Sequence, residues 1–240
     1  MEEKTDKNLA NYLYLAGLIA VLTIGFYFLG KNVSVLKNRP EKNQGTSSIV
    51  QEVNFNVNLG SLPPWGYEAA PIKIVEFGDF HCPFCALASN FLYPALEKYI
   101  KEEKVVFYFR DFPLTQIHPL ALNVHLASRC ADEQGKYWEF HKEIYKEVYS
   151  KVQENLPYFN TGEENYLVGL AEKLNLNKSK FEECFKNKKY ESMVNKDISE
   201  GDGYGVNGTP TFFIIKNGKT YKIEGFVPQI LSEFINLIEK

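Results

Sequence analysis

The chain has 240 residues, 45% of them hydrophobic, enough for one sizeable domain or one domain with a large insertion. Its 16 Gly and 11 Pro exclude a low-complexity chain, and a net charge of −3 gives no reason to expect nucleic acid as a partner. The four cysteines are an even count, and a stable structural disulfide among them would imply an oxidising compartment.

Residues 1–8 form a polar tail carrying Lys4 and Lys7. Leu9 to Leu29 is then almost wholly apolar, interrupted by Asn11 and Thr23, and about 20 such residues cross a bilayer as a helix. Tyr12, Tyr14 and Tyr27 lie near its ends, where interfacial aromatics are favoured. Residues 9–30 therefore read as a transmembrane anchor, which makes the membrane itself a partner. A cleaved signal peptide is the alternative, although the apolar run is long for one and Gly30-Lys31-Asn32-Val33-Ser34 is a poor cleavage site. Lys31, Lys37, Arg39 and Lys42 after the span outnumber Lys4 and Lys7 before it. Counted literally, those charges keep the large domain in the cytoplasm, but long domains cross regardless of them. The cysteines favour the outside, so the expected location is a single-pass cell-membrane protein with an extracytoplasmic domain. Residues 31–48, rich in Lys, Asn, Gly and Ser, read as a flexible stalk.

Residues 49–240 carry the domain. Val53, Phe55, Val57 and Leu59 alternate with asparagines and predict a strand buried on one face. Gly60 to Ala70, with Pro63-Pro64 and Gly66, is a loop. Ile72 to Phe77 is a strand, broken by Gly78. A helix follows from Pro83, placed where a missing N–H is harmless, and runs towards Glu103 with Pro94 expected to kink it. Lys104 to Arg110 is a second strand, completing a β-α-β unit with parallel strands. A helical block of about 115–203 comes next, with helices predicted over 118–131, 137–149, 163–174, 178–187 and 190–201. Thr211 to Ile215 and Lys219 to Ile223 flank Asn217-Gly218, a hairpin signal, and an amphipathic helix begins near Gln229. The fold class is α/β, a mixed sheet with a helical insertion.

The chemistry is concentrated in His81-Cys82-Pro83-Phe84-Cys85, where a strand gives way to a helix. Unpaired amides and the helix dipole favour an anion there, so Cys82 is expected to have a lowered pKa and act as nucleophile, with Cys85 as the shielded resolving thiol. A structural zinc site needs two more ligands. Cys130 and Cys184 are isolated from the motif, and His81, His118, His125 and His141 show no metal-binding spacing, so no metal is expected. Cys130 and Cys184 invite pairing with each other; two buried free thiols are the alternative. His81 either stabilises the neighbouring thiolate or faces solvent. Tyr137, Trp138 and Phe140 read as core residues, and the other three histidines as packing or capping residues.

Three stretches together, Glu76 to Cys85, Gly135 to His141 and Gly205 to Phe213, resemble the DsbA-like thiol:disulfide oxidoreductases over roughly residues 50–240. The resemblance implies a thioredoxin fold with a helical insertion and dithiol–disulfide exchange on cysteine-containing polypeptides, without a cofactor. It implies a cis Pro210 opposite the cysteines, pairing with an extended substrate, and a Thr209 that touches the sulfur pair. Pro83, Phe84 and His81 would complete the substrate-binding surface. It gives Glu76, behind the buried cysteine, the part of proton acceptor for Cys85. Strongly oxidising members carry His between the cysteines, whereas this chain has Pro83-Phe84, which points to a less oxidising couple. As an oxidase it would need a quinone-linked membrane partner of the DsbB or VKOR kind. A reductase or isomerase, and a non-catalytic metal- or peptide-binding module, are the alternatives.

Overall fold

The structure is a computed structural model that describes residues 49–240; the expected tail, anchor and stalk lie outside the described residues. Among the described residues no helix is long and apolar enough to cross a membrane.

A five-stranded sheet in the order β1-β5-β4-β2-β3 forms the centre, with strands β1 (Val50–Val53), β2 (Ile72–Gly78), β3 (Val105–Asp111), β4 (Thr211–Lys216) and β5 (Lys219–Glu224). β2 runs parallel to β3 and antiparallel to β4. Helix α1 (Pro83–Lys101) makes the crossover from β2 to β3. Alternate residues of each strand then serve two cores. Ile72, Ile74, Phe107, Phe109, Phe212 and Ile214 pack towards α1 and the helices beside it, while Val75, Phe77, Val106, Tyr108 and Phe213 pack against Val57, Phe112 and Val206. Glu76 shares the parity of the first set and so faces α1. The open edge of β3 is covered at one point by Trp65, which exchanges two backbone hydrogen bonds with Phe107.

Between β3 and β4 lie α2 (Ala121–Asp132), α3 (Tyr137–Gln153), a short 3₁₀ turn (Phe159–Gly162), α4 (Glu164–Lys173), α5 (Lys178–Lys186) and α6 (Glu191–Gly203). The closing helix α7 (Leu231–Glu239) follows β5. Cys130 of α2 and Cys184 of α5 are bonded, S–S 1.99 Å and Cα–Cα 5.9 Å. A buried ionic network fastens the insertion to the end of β3. Asp197 of α6 accepts from Arg110 at 2.7 Å and from Arg129 at 2.7 Å, and Arg129 also holds Asp111.

The strand expected over 53–59 is not there; β1 ends at Val53. The asparagines explain the difference, because Asn58 turns its side-chain oxygen to the amide of Gly60 at 2.9 Å and its carbonyl to Arg110 at 2.6 Å. Those bonds compete with a ladder. Helix α1 begins as expected at Pro83 and runs without a break through Pro94.

Candidate active site

β2 ends at Gly78, a position that only glycine fits, since a Cβ there would fall 2.4 Å from the Phe109 ring. The next residues turn on one carboxylate. Asp79 Oδ1 accepts from the His81 amide at 2.7 Å, its Oδ2 from the Leu114 amide at 2.8 Å, and His118 Nδ1 lies 2.7 Å from Oδ2. The Asp79 carbonyl in turn accepts from the Cys82 amide at 3.0 Å. This tight turn delivers Cys82 as the N-cap of α1, with Pro83 in the first turn. Burial opposes the charge on Asp79, but the bond from His118 wins and holds its pKa below the usual carboxylate value. His118 is raised in return, because the bond to Asp79 and the carboxylate's charge outweigh burial.

Cys82 and Cys85 are both free thiols. Thr209-Pro210 is a cis peptide at the start of β4, and the Cys82 thiol donates to the Thr209 carbonyl at 3.1 Å. The two cysteines are in opposite electrostatic situations. The Cys85 thiol and amide, which favour the Cys82 anion, outweigh burial and bring Cys82 from 9.0 to about 7. Cys85 is wholly buried, and burial together with the Cys82 and Glu76 charges pushes it well above its ordinary value.

Glu76 is also wholly buried. Tyr93 of α1 donates to its Oε2 at 2.9 Å, and Oε1 has no hydrogen-bond partner among the described residues. Burial dominates over the Tyr93 bond and raises Glu76 to about 8. At neutral pH most molecules hold that proton, and the minority with an ionised Glu76 can accept one from a thiol.

His81 fits neither role considered for it. It is fully buried, so it does not face solvent, and burial lowers its pKa to about 4, so it brings no charge to Cys82. Its Nε2 lies 2.9 Å from the Thr161 hydroxyl, whose own proton goes to the Tyr158 carbonyl; Nε2 must therefore be the donor. Of the two residues between the cysteines, Pro83 is partly covered and Phe84 is half exposed. Thr209 and Pro210 are buried against the motif. The residue that sequence reasoning set aside is His118, which lies beside the motif through Asp79. Its signal would have been a histidine just beyond the second strand of a β-α-β unit, where the active-site end of the sheet lies. His125 bonds to Asp111 at 2.6 Å and His141 sits among aromatic rings. Among the described residues there is no cluster of three or more His, Cys, Asp or Glu suited to a metal ion.

The family described as Thioredoxin matches residues 62–235. The chain is 31% identical over 176 residues to a Na(+)/H(+) antiporter NhaA 1 of Salinispora arenicola, which is 70% of this chain and 24% of that protein. The chain thus spans about a quarter of the length of such curated relatives. A probable disulfide bond formation protein D of Bacillus anthracis is 30% identical over 159 residues, 63% of this chain and 69% of that protein. Among solved structures, α-DsbA1 of Wolbachia pipientis superposes with a TM-score of 0.62 at 28% identity, covering 75% of this chain and 92% of that one. BdbD of Bacillus subtilis shares the fold with a TM-score of 0.58 at 22% identity over 74% of this chain and 91% of that one. The chain belongs to the thioredoxin family, and its fold is shared with the DsbA-like proteins of known structure.

Proposed function

We propose that Cys82 and Cys85 perform dithiol–disulfide exchange on cysteine-containing polypeptides at the outer face of a membrane. The observation that carries this reading is the asymmetry of the pair. Cys82 caps a helix, touches Thr209 before the cis Pro210 and titrates at about 7, while Cys85 beneath it is buried and protonated. In the oxidising direction a substrate thiolate attacks Cys82 of the disulfide form, and a second substrate thiolate then displaces it. In the reducing direction Cys82 attacks a substrate disulfide, and Cys85 gives its proton to Glu76 when that carboxyl is ionised and resolves the mixed disulfide. An extended substrate would pair with the backbone at Thr209 and Pro210 and lie over Pro83 and the exposed Phe84.

Residues 9–30 would hold the enzyme at the membrane, and as an oxidase it would be recharged by a quinone-linked partner of the DsbB or VKOR kind. The Cys130–Cys184 bond would brace the insertion in an oxidising compartment. A purified Cys82→Ser variant should neither oxidise a reduced unfolded protein nor reduce insulin. Native rates in that variant would overturn the reading. The half-ionised state of Cys82 at neutral pH also supports an isomerase or reductase role in the same compartment.

A further inference from the structure

Cys85 and Glu76 have no exposed surface, yet resolution through Cys85 requires its proton to reach water. Tyr93 is the one hydrogen-bond partner of the Glu76 carboxyl among the described residues, and it lines a cavity of about 280 Å³. That volume holds several waters at roughly 30 Å³ each. Trp65, Ser89, Pro94, Trp138 and His141 form its other walls, and Glu97 and Lys142 stand at the rim. Cys82, Thr209 and Pro210 are not part of its lining, so the cavity is separate from the substrate face.

The wall beside Tyr93 is suited to water. His141 Nε2 is buried without a partner among the described residues. Rings of Phe109 and Tyr145 lie 4.8 Å from the His141 ring, and burial lowers its pKa to about 3, so it stays neutral.

We propose that Tyr93 is the relay by which the proton of Cys85, once on Glu76, passes to water in the cavity walled by Ser89, Pro94, Trp138 and His141. This rests on Glu76 acting as the base in the exchange reaction. Cys85 gives its proton to the Glu76 carboxylate, and the thiolate so formed attacks Cys82 of the mixed disulfide. The bond between Cys82 and the substrate sulfur breaks, and the substrate leaves as a thiolate with the electron pair. Glu76 then hands its proton to Tyr93 Oη while the tyrosyl proton moves to a cavity water, which restores the carboxylate. Burial and the Glu76 charge keep the Tyr93 phenol well above its ordinary pKa, so the two transfers are concerted and no free tyrosinate forms. The charged and titratable groups around the route are Cys82, Cys85 and Tyr145 beside Glu76, and Glu97, Glu139 and Lys142 with His141 around the cavity.

The test is a single-turnover reduction of oxidised glutathione by the whole reduced chain, with acid-quenched mass spectrometry following the mixed disulfide between pH 5 and 9 in H₂O and D₂O. Tyr93→Phe should slow decay of the mixed disulfide about tenfold and enlarge the solvent isotope effect, with its formation at Cys82 changed by no more than about twofold. The infrared titration of Glu76 should move to higher pH, since the carboxylate has lost its donor. Ser89→Leu, which fills the cavity from α1, should slow decay without moving that titration. Wild-type decay and isotope effect in Tyr93→Phe would overturn the relay, and wild-type decay in Ser89→Leu would overturn the cavity as its outlet. Glu76→Gln separates the two readings. If it slows resolution while Tyr93→Phe does not, the relay alone fails; if it leaves resolution unchanged, the role of Glu76 as base fails with it.

Discussion

Glu76 should make the protein less stable as pH rises, and replacing it with glutamine should remove that dependence. Its carboxyl titrates at about 8 in the folded chain against 4.5 in the open, so the folded state binds the proton more tightly. The stabilisation is fully present below pH 4.5 and is lost as pH rises through 8. The distance between those two values, at about 1.4 kcal/mol per pH unit, amounts to roughly 5 kcal/mol. That is a large part of the 5–15 kcal/mol typical of a domain. Glutamine has nearly the same shape, can still accept from Tyr93 and never ionises. Urea unfolding of the Cys82→Ala/Cys85→Ala protein with and without Glu76→Gln, from pH 4 to 9, isolates the effect, because all other titrating groups cancel in the difference. The two proteins should be close in stability at pH 4, with the glutamine variant gaining several kcal/mol by pH 9. A difference that stays flat with pH, or is largest in acid, would refute the buried, elevated carboxyl.

Four further outcomes follow from the same geometry. Phe84→His should add a donor beside Cys82, moving its thiolate absorbance midpoint below about 7 and raising the reduction potential by about 30 mV per unit of pKa once the thiol is fully ionised. Cys130→Ala/Cys184→Ala opens a loop spanning 54 residues and should lower stability to urea by about 4 kcal/mol, with Cys82 reactivity intact. Asp197→Asn leaves the buried Arg110 and Arg129 short of counter-charge and should destabilise by about 3–5 kcal/mol in the same assay. Removing the exposed Lys101–Glu97 pair should change stability by less than about 0.5 kcal/mol.

The order of elements was readable because strand and helix periodicities are local, and β2 through α1 follows from Gly78 and Pro83 alone. The place of Glu76 behind the cysteines came from the resemblance, because its strand alone leaves open whether the carboxyl is buried or faces water. The misread segment is 53–59, where alternation looked like a strand but the asparagine side chains bond to nearby backbone groups instead. The histidines were harder. His118 meets Asp79 across 39 residues, a pairing that exists only once the loop after β3 folds back over the motif. His81 adjoins Cys82 in sequence, yet its ring is directed to Thr161 of the insertion, and burial removes the charge that its position suggested.

The surroundings of Cys82 also bear on the direction of exchange. The Thr209 carbonyl accepts from the thiol and favours the neutral form, while the Cys85 thiol and amide favour the anion. The result, a pKa of about 7, resembles thioredoxin at about 7 more than DsbA at about 3.5. At pH 7 ionisation of a thiol titrating at 7 stabilises the reduced form by about 0.4 kcal/mol, and of one titrating at 3.5 by about 4.8 kcal/mol. The difference of about 4.4 kcal/mol corresponds to about 90 mV, which takes the DsbA value near −120 mV to about −210 mV, in the range of glutaredoxins and close to protein disulfide isomerase. Equilibration with glutathione buffers, followed by mass spectrometry of alkylated Cys82, measures it directly. A potential near −120 mV in a protein whose Cys82 titrates at 7 would mean that the oxidised pair is strained or poorly packed, and thiolate stability would no longer explain how this site sets its potential.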